Sequence, residues 1–338
     1  MYLKALTDLP GVSGNETLVR DFVYENIQDF CDEIVTDSIG NLICHKRGKK
    51  PSNKKVMVCA HMDEVGLIVS QITDDGFLKF KCVGGIDPRV LVSKKVRIGR
   101  KSICGVIGAK AIHLQKKSER EQVPKVENLY IDIGAKDKDS ASSLVSVGDY
   151  CVFDSAFVSF GDGFIKAKAL DDRAGCNCLM ALAKEEFDCD LYLVFTVQEE
   201  VGLRGARVAS EYVAPDIAII LEGTTCSDVY GSEERDFSTI AGGGAVLSII
   251  DRSTYYDKEL TNALYETAKK HDILVQWKQT ASGGNDAGAV HLAAGGIKTA
   301  AVSVPARYIH SPSSVIKQSD LEAVYALIST FLREGLAQ

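Results

Sequence analysis

Two histidines and several carboxylates follow apolar segments of this chain, at points where strands of a sheet would end. The residues that share this placement are His61 and Asp63, Glu199 and Glu200, Glu222 and, a few residues beyond its segment, His310. Asp171 stands at the predicted start of a helix. Because open α/β sheets bind ligands outside the carboxyl ends of their strands, we expect these side chains to meet at one edge of a sheet.

The expected cluster offers imidazole nitrogens and carboxylate oxygens but no thiol. Such a ligand set suits Zn²⁺, Co²⁺ or Mn²⁺ and not an iron–sulfur cluster. Carboxylates packed together without cations repel one another, which also favours metal binding. Five or six ligands are too many for one tetrahedral zinc ion, so the set predicts two ions that share a bridging carboxylate. Two such ions can polarise a carbonyl and lower the pKa of a bridging water.

The segment before the adjacent glutamates is the one on which the prediction depends most. Residues 191–197 are almost all apolar without alternation, which is typical of a strand buried on both faces of a parallel sheet. Taken alone, Glu199 and Glu200 could equally form a solvated acidic turn, since Glu is rarely buried without a partner. Other apolar segments of the chain also lead into histidine or acidic residues, and this recurrence favours a functional site over a solvated turn.

The pattern of elements changes twice along the chain. Residues 67–163 contain short strand-like segments separated by glycines, without helical periodicity, which predicts a small all-β barrel or sandwich. On either side, apolar runs alternate with helical patterns, as in α/β proteins. We therefore predict an α/β domain made of residues 1–66 and 164–338, with a mixed sheet flanked by helices, and an inserted β domain at residues 67–163.

Three local signals add detail to this outline. The S-x-x-E pattern from Ser13 to Glu16 is a capping box and predicts a helix start within a helical stretch at residues 2–30. Residues 217–221 predict a strand that ends at Glu222. Gln115 is expected at the end of a strand in the β domain.

Composition excludes several classes of function. The chain has 338 residues, 46% of them hydrophobic and 25% charged, which indicates a globular protein of about two domains. A formal net charge of -7, with no visible basic face, argues against nucleic acid as a partner. No apolar run reaches the roughly 18 residues of a membrane helix, and the N-terminus lacks a signal-peptide core, so we expect a cytoplasmic protein without membrane attachment.

Five motifs resemble those of one enzyme family. The chain carries, in this order, AHMDEVG, ALDDRAG, QEEVGLRGA, SGGNDAGAVH and RYIHSP. These motifs are similar to those of the TET-type aminopeptidases, metallopeptidase family 42, which includes glutamyl aminopeptidases. The resemblance extends over nearly the whole chain. It implies a zinc-exopeptidase-like α/β domain interrupted by a β dimerisation domain, peptide substrates, and a homo-oligomer built from dimers, often a tetrahedral dodecamer.

The resemblance also implies a set of metal ligands. His61 and Glu222 would bind one divalent ion, Glu200 and His310 would bind the other, and Asp171 would bridge the two. The ions implied are Zn²⁺ or Co²⁺, with Mn²⁺ as a further candidate. The chain departs from the family at Glu222, where Asp is usual, which makes the geometry and metal preference of that site a question.

Three further residues receive roles from the same resemblance. Glu199 would be the general base, and Asp63 would orient the His61 imidazole from outside the ligand shell. Gln115 would reach the active site of a neighbouring subunit and contact substrate.

Other functions remain open at this point. A metallo-deacylase or carboxypeptidase on the same fold is the nearest rival to an aminopeptidase. A glycosidase could use two carboxylates, but it would leave His61 and His310 without a role. A non-catalytic metal-binding assembly protein is the third alternative. Hydrolysis of an amide with a free amine, compared with its N-acetylated form, separates the hydrolases, because only an aminopeptidase needs the free amine.

Overall fold

The apolar segments of the sequence form the strands, and the amphipathic segments form the helices that cover them. A computed structural model of the chain describes residues 2–50 and 54–334. Its helices within these ranges are α1 Leu3–Asp8, α2 Thr17–Ile27, α3 Lys117–Arg120, α4 Lys138–Ser142, α5 Leu170–Leu182, α6 Arg204–Val213, α7 Lys258–Lys270, α8 Ala287–Val290 and α9 Gln318–Glu334.

The strands of the first half are β1 Glu33–Thr36, β2 Leu42–Lys46, β3 Lys55–His61, β4 Gly66–Ile72, β5 Leu78–Val83, β6 Lys95–Ile98, β7 Ile103–Gly108, β8 Tyr130–Asp132, β9 Tyr150–Phe153, β10 Val158–Phe160 and β11 Phe164–Ala167. Those of the second half are β12 Asp190–Thr196, β13 Ile217–Thr225, β14 Ala245–Leu247, β15 Val275–Trp277, β16 Lys298–Ala306 and β17 Ser314–Lys317.

An eight-stranded mixed sheet in the order β1-β2-β12-β3-β13-β16-β14-β15 forms the centre of the α/β part. Strands β12, β3, β13 and β16 are parallel, so their carboxyl ends lie at one edge. Alternate residues point to opposite faces: Val58 packs with the cluster that contains α5 and α9, and Met57 packs with the cluster that contains α6 and α8. Burial on both faces explains why the sequence of these strands is continuously apolar.

The inserted β segment closes into a barrel of six strands in the order β4-β5-β8-β7-β6-β9. Its interior is filled by side chains such as Leu67, Phe80 and Ile131, which are 3% exposed or less. The predicted fold class, a mixed sheet flanked by helices with an inserted all-β barrel, is therefore confirmed. No helix of residues 2–50 and 54–334 is both long and apolar enough to cross a bilayer.

The barrel does not use the whole predicted β segment. Strand β10 pairs with β11, which in turn pairs with β17, so residues 158–160 belong to a separate three-stranded sheet. The division into residues 1–66 with 164–338 and residues 67–163 stays a prediction, and the ends of its outer segments, residue 1 and residues 335–338, lie outside the described residues.

Three local predictions were wrong. Residues 2–30 are not one helical stretch, because Pro10 and Gly11 separate α1 from α2. The helix start comes at Thr17, after an N-cap at Glu16 that makes no side-chain cap hydrogen bond, so the S-x-x-E pattern is not a capping box. Gln115 follows a short 3₁₀ turn and not a strand.

Candidate active site

Parallel neighbours in the sheet bring the predicted side chains together. His61 is the last residue of β3, and its Cα partner on β12 is Thr196, so Glu199 and Glu200 lie just beyond the same edge. Glu222 lies on β13, the other neighbour of β3. Contrary to the prediction, the strand does not end at Glu222 but continues to Thr225, because its pairing with β16 extends that far.

Asp171 stands between the two histidines. Its Oδ1 lies 3.5 Å from Nε2 of His61, and its Oδ2 lies 3.5 Å from Nε2 of His310. The His61 Nε2 also lies 3.1 Å from Oε1 of Glu222, and the His310 Nε2 lies 3.3 Å from Oε2 of Glu200. One carboxylate thus links two groups of nitrogen and oxygen donors.

Asp63 supports this edge of the sheet through hydrogen bonds to its carboxylate. Its carboxylate is fully buried and accepts hydrogen bonds from the backbone N–H groups of Glu199 and Glu200, at 3.0 and 3.1 Å. The hydroxyl of Ser13 donates to the same carboxylate at 2.6 Å. The Nδ1 of His61 lies 3.1 Å from the backbone carbonyl of Asp63 and 3.4 Å from its carboxylate. Asp63 therefore fixes the ring of one histidine and the turn that carries both glutamates.

Several turns at this edge hold non-glycine residues in the left-handed region. Ala169, Gln198 and His310 have φ angles of 54°, 56° and 56°. Each adjoins or belongs to the cluster, and positive φ is uncommon for such residues outside functional turns. The surrounding hydrogen bonds hold these turns in place: the backbone N–H of Gln198, for example, donates to the Glu16 carboxylate at 3.2 Å.

The cluster carries an excess of buried negative charge. Burial raises the pKa of Glu200 to about 7 and raises that of Glu222 well above its usual value. For Asp171, burial opposes ionisation, but hydrogen bonds to His310 and His61 outweigh it and hold its pKa well below the usual value. Burial also opposes protonation of His310, yet Asp171 and Glu200 raise its pKa to about 9. Cations placed here would relieve the repulsion among the carboxylates.

The residues present fit a pair of metal ions. His61, Asp171 and Glu222 offer one group of donor atoms within 4.8 Å of one another, and Asp171, Glu200 and His310 offer a second. His61, Glu199 and Glu200 form a third combination that satisfies the same distance. Burial leaves the Oε2 of Glu222 without any hydrogen-bond partner in the described part of the chain, as expected of an oxygen that awaits a ligand.

A cleft of about 400 Å³ opens above the cluster. Its lining combines the carboxylates of the cluster with hydroxyl-bearing residues, glycines and Lys278. Gln115 does not line it; this residue lies in a different depression on the barrel, where its side-chain amide donates to the carbonyl of Lys110. Within one chain, the structure therefore brings together every predicted site residue except Gln115.

Sequence reasoning missed several residues around the cluster. Ser13 and Glu16 were read as a helix cap, yet they brace Asp63 and the turn at Gln198. Asp286, inside the SGGNDAG motif, is fully buried and accepts a hydrogen bond from the Thr196 hydroxyl. The only sequence signal for Asp286 was its place in a glycine-rich motif, and the S-x-x-E signal at Ser13 and Glu16 pointed to a helix cap and not to this site.

Comparison with known proteins decides the family. Residues 40–327 match the M42 glutamyl aminopeptidase family. The chain belongs to the M42 family. It is accordingly a peptide hydrolase, and the family resemblance predicted from its motifs is confirmed.

Relatives of this M42 protein have names that refer to different substrate residues. It is 31% identical to lysyl aminopeptidase of Pyrococcus furiosus, over 98% of this chain and 96% of the relative. It is also 31% identical to glutamyl aminopeptidase of Lactococcus lactis, over 98% of this chain and 94% of the relative. Membership of the M42 family therefore does not fix the preferred N-terminal residue.

Solved structures share the whole fold. An aminopeptidase from Desulfurococcus kamchatkensis has a TM-score of 0.94 at 35% identity, covering 98% of this chain and 93% of that one. The TET1 peptidase of Pyrococcus horikoshii, which can assemble into a tetrahedron or a large octahedral shell, has a TM-score of 0.87 at 35% identity, covering 98% of both chains. A Thermotoga maritima protein named as an endoglucanase has a TM-score of 0.83 at 40% identity, covering 99% and 97%.

Proposed function

We propose that this M42 protein is an aminopeptidase that uses two divalent metal ions, Zn²⁺, Co²⁺ or Mn²⁺, to remove N-terminal residues from peptides. The observation that carries the proposal is the position of Asp171, with one carboxylate oxygen 3.5 Å from His61 Nε2 and the other 3.5 Å from His310 Nε2. A single carboxylate that serves two donor groups is what a dinuclear centre requires.

Each residue of the cluster has a role in this chemistry. His61, Glu222 and Asp171 would hold one ion, and Asp171, Glu200 and His310 the other. When bound, the ions supply Lewis acidity for the peptide carbonyl and for the attacking water.

The protein's own groups handle the protons. Glu199 lines the cleft beside Glu200, where a carboxylate can act as the general base. It would take the proton of the attacking water and pass it to the leaving amine. Asp63 would keep Glu199 in place through the hydrogen bond that its carboxylate accepts from the Glu199 backbone N–H.

A comparison of substrates tests the proposal. The protein, first stripped of metal and then reloaded with each ion, is assayed on aminoacyl p-nitroanilides and on their N-acetylated forms. We expect hydrolysis of the free-amine compounds only, and two bound ions per chain by metal analysis. Cleavage of the acetylated compounds would favour a deacylase, cleavage of a C-terminal residue a carboxypeptidase, and cleavage of a β-glucan without peptide hydrolysis would overturn the peptidase assignment.

We also propose that the barrel joins chains into a homo-oligomer. Large apolar side chains stand exposed on it, among them Ile112 at 68%, Leu114 at 62% and Val147 at 61%. Exposed apolar groups of this kind are typical of contact surfaces. Gln115 follows directly after Leu114, so a dimer through this surface would place it near the partner chain, where contact with the partner's cleft is proposed.

A further inference from the structure

A buried chain of hydrogen bonds ends at the wall of the cleft. The hydroxyl of Tyr256 donates to a carboxylate oxygen of Asp251 at 2.5 Å, and the side-chain amide of Asn285 donates to the Tyr256 oxygen at 3.0 Å. All three residues are 7% exposed or less, and Asn285 lines the cleft together with the carboxylates of the cluster. Metal binding and proton transfer, as proposed for the cluster, do not involve these three residues.

The far end of this chain is fixed by the backbone. The other carboxylate oxygen of Asp251 accepts hydrogen bonds from the backbone N–H and the hydroxyl of Ser253, at 2.7 and 3.0 Å. Burial and the charge of Asp251 raise the pKa of Tyr256 well above its usual value, and the charge of Glu222 raises it further. Tyr256 therefore keeps its proton, so it can donate to Asp251 and accept from Asn285 at the same time.

The Asn285 amide is held in one orientation. Its Oδ1 accepts from the backbone N–H of Ala287 at 2.9 Å, and its Nδ2 donates to Tyr256. The loop that carries it is tied by a hydrogen bond from the backbone N–H of Arg252 to the carbonyl of Gly283, at 2.9 Å. An amide nitrogen has two N–H groups, and the second one of Nδ2 has no partner in the described part of the chain. The cleft wall thus holds an oriented amide with one donor still available.

A fixed, neutral donor suits an oxygen that becomes negative. When a peptide bond is hydrolysed, its carbonyl oxygen gains negative charge in the tetrahedral intermediate, and donors that are already oriented stabilise that charge. The carboxylates of the cluster line the same cleft and would repel it. The Asn285 amide can supply a hydrogen bond there without bringing a charge of its own into the buried wall.

We propose that Asn285 donates a hydrogen bond from Nδ2 to the carbonyl oxygen of the scissile peptide bond, and that Tyr256 and Asp251 position the amide for this contact. The inference rests on the proposed aminopeptidase function, because only then does the scissile carbonyl lie in the cleft. The hydrogen bond becomes stronger as the oxygen becomes negative. Its loss should therefore lower kcat and leave KM nearly unchanged.

Kinetics and inhibitor binding on Asn285→Ala test the contact. The full chain, loaded with metal, is assayed on the aminoacyl p-nitroanilide that the wild-type protein cleaves fastest. We expect kcat to fall by about 10² to 10³, the usual effect of one such donor, with little change in KM. A peptide-like inhibitor whose hydroxyl mimics the tetrahedral intermediate should lose affinity, whereas a simple aliphatic amine should bind as before. A general disturbance of the cleft would weaken both inhibitors and contradict the proposal.

Three further variants complete the design. Asn285→Asp keeps the shape and the acceptor for Ala287 but replaces the donor with a negative charge, so its loss of kcat should be at least as large. Tyr256→Phe keeps the donor and frees its orientation, so its loss should be smaller. Asn26→Ala, in α2, removes an amide that donates to the carbonyl of Phe22 outside the cleft, and it should keep the wild-type kcat.

Asn285→Asp decides the matter if Asn285→Ala proves misfolded. A folded, metal-loaded Asn285→Asp with the wild-type kcat would overturn the inference. Loss of bound metal in the Asn285 variants would also overturn it, because it would place this residue in the support of the metal centre.

The failure of this inference differs from failure of the proposed function. A wild-type protein that cleaves no aminoacyl p-nitroanilide contradicts aminopeptidase activity itself. A wild-type protein that cleaves them, together with folded Asn285 variants of equal kcat, leaves the aminopeptidase in place and removes only the role of Asn285.

Discussion

At the scale of single residues, the two adjacent glutamates occupy different positions. The Glu200 carboxylate lies 3.3 Å from His310 Nε2, within one of the two donor groups that share Asp171. Glu199 belongs only to the combination with His61 and Glu200. Successive side chains near a strand end point in different directions, which allows neighbours to divide metal binding and proton transfer.

Substitution by glutamine should separate these roles. Glu199→Gln keeps the shape but cannot accept a proton, so kcat should fall by about 10² to 10⁴ while two ions per chain remain bound. Glu200→Gln should lower metal content instead, because a neutral amide is a poor ligand for these ions. Kinetics and metal analysis on both variants provide the check; metal loss in Glu199→Gln with full occupancy in Glu200→Gln would reverse the assignment.

Glu222 is the position where this chain differs from the pattern that the family resemblance predicts. One oxygen lies 3.1 Å from His61 Nε2, and the other is buried and has no hydrogen-bond partner among the described residues. We expect Glu222→Asp to retain two ions and to change which ion gives the fastest turnover, since the carboxylate is drawn back by one methylene. Glu222→Ala should lose one ion. An alanine variant with unchanged metal content would show that Glu222 is not a ligand.

At the scale of elements, the loop between α1 and α2 supports the turn that carries Glu199 and Glu200. Ser13 donates to Asp63, and the Glu16 carboxylate accepts from the backbone N–H groups of Gly14 and Gln198. Ser13 lies 50 residues from Asp63 in the sequence, and Glu16 lies 182 residues from Gln198. The N-terminal loop therefore supports the site through contacts with distant parts of the chain.

Glu16 should contribute a pH dependence to stability. Burial raises its pKa in the folded protein to about 7, from 4.5 when unperturbed. At pH values between 4.5 and about 7, Glu16 keeps a proton in the folded state that it releases in the unfolded state. The contribution of Glu16 to stability is therefore complete below pH 4.5 and is lost as pH rises through about 7. Glu16→Gln should remove this loss, up to about 3 kcal/mol. Denaturation at pH 5 and pH 7 measures it; equal pH slopes for both proteins would contradict the shift.

A buried ion network ties the N-terminal loop to the start of α5. The Lys168 ammonium lies 2.7 Å from the Glu64 carboxylate, and Arg173 lies 3.4 Å from the same carboxylate. All three side chains are 2% exposed or less. The Arg173 guanidinium also donates to the backbone carbonyls of Met62 and Leu6, so the network fixes the segment that holds Asp171.

Removal of one charged partner from this network should lower the free energy of unfolding substantially. Lys168→Met leaves the Glu64 carboxylate buried with one cation fewer, which we expect to lower the free energy of unfolding by about 3–5 kcal/mol. Lys298→Met breaks a surface pair with Glu259 and should cost less than about 1 kcal/mol. Denaturant titration of the two variants compares them, and similar losses in both would contradict a special role for the buried network.

At the scale of the whole molecule, the barrel and the α/β part have separate cores. The barrel core and the two clusters on the faces of the large sheet share no buried residue. The barrel can therefore provide a contact surface without disturbing the strands that hold the active site.

The oligomer should form through this surface. Light scattering should give a mass of twelve chains of 36.6 kDa each. Charges buried at an apolar contact are unfavourable, so Ile112→Glu with Leu114→Glu should shift the protein to smaller species. Leu18→Glu, in α2, is the control and should leave the mass unchanged. A wild-type monomer at micromolar concentration would contradict the proposal.

The sequence by itself determined the central apolar strands and the placement of His61, Glu199 and Glu200 at the carboxyl ends of two of them. Runs buried on both faces are continuously apolar, and parallel strands end at one edge, so His61, Glu199 and Glu200 could be placed near one another without coordinates. The motifs around them also determined the family. Hydrophobic periodicity is enough for this, because it depends on residues close together in the chain.

Only the tertiary structure decided what surrounds these residues. Ser13 and Glu16 carry a genuine local signal for a helix cap, but distant partners on other elements take their hydrogen bonds instead. Glu222 lies inside its strand because a neighbouring strand continues the pairing. Lys278 is an unremarkable lysine in the sequence, and the pairing of β14 with β15 brings it to the lining of the cleft. Such contacts depend on which segments the fold brings together, which local patterns do not encode.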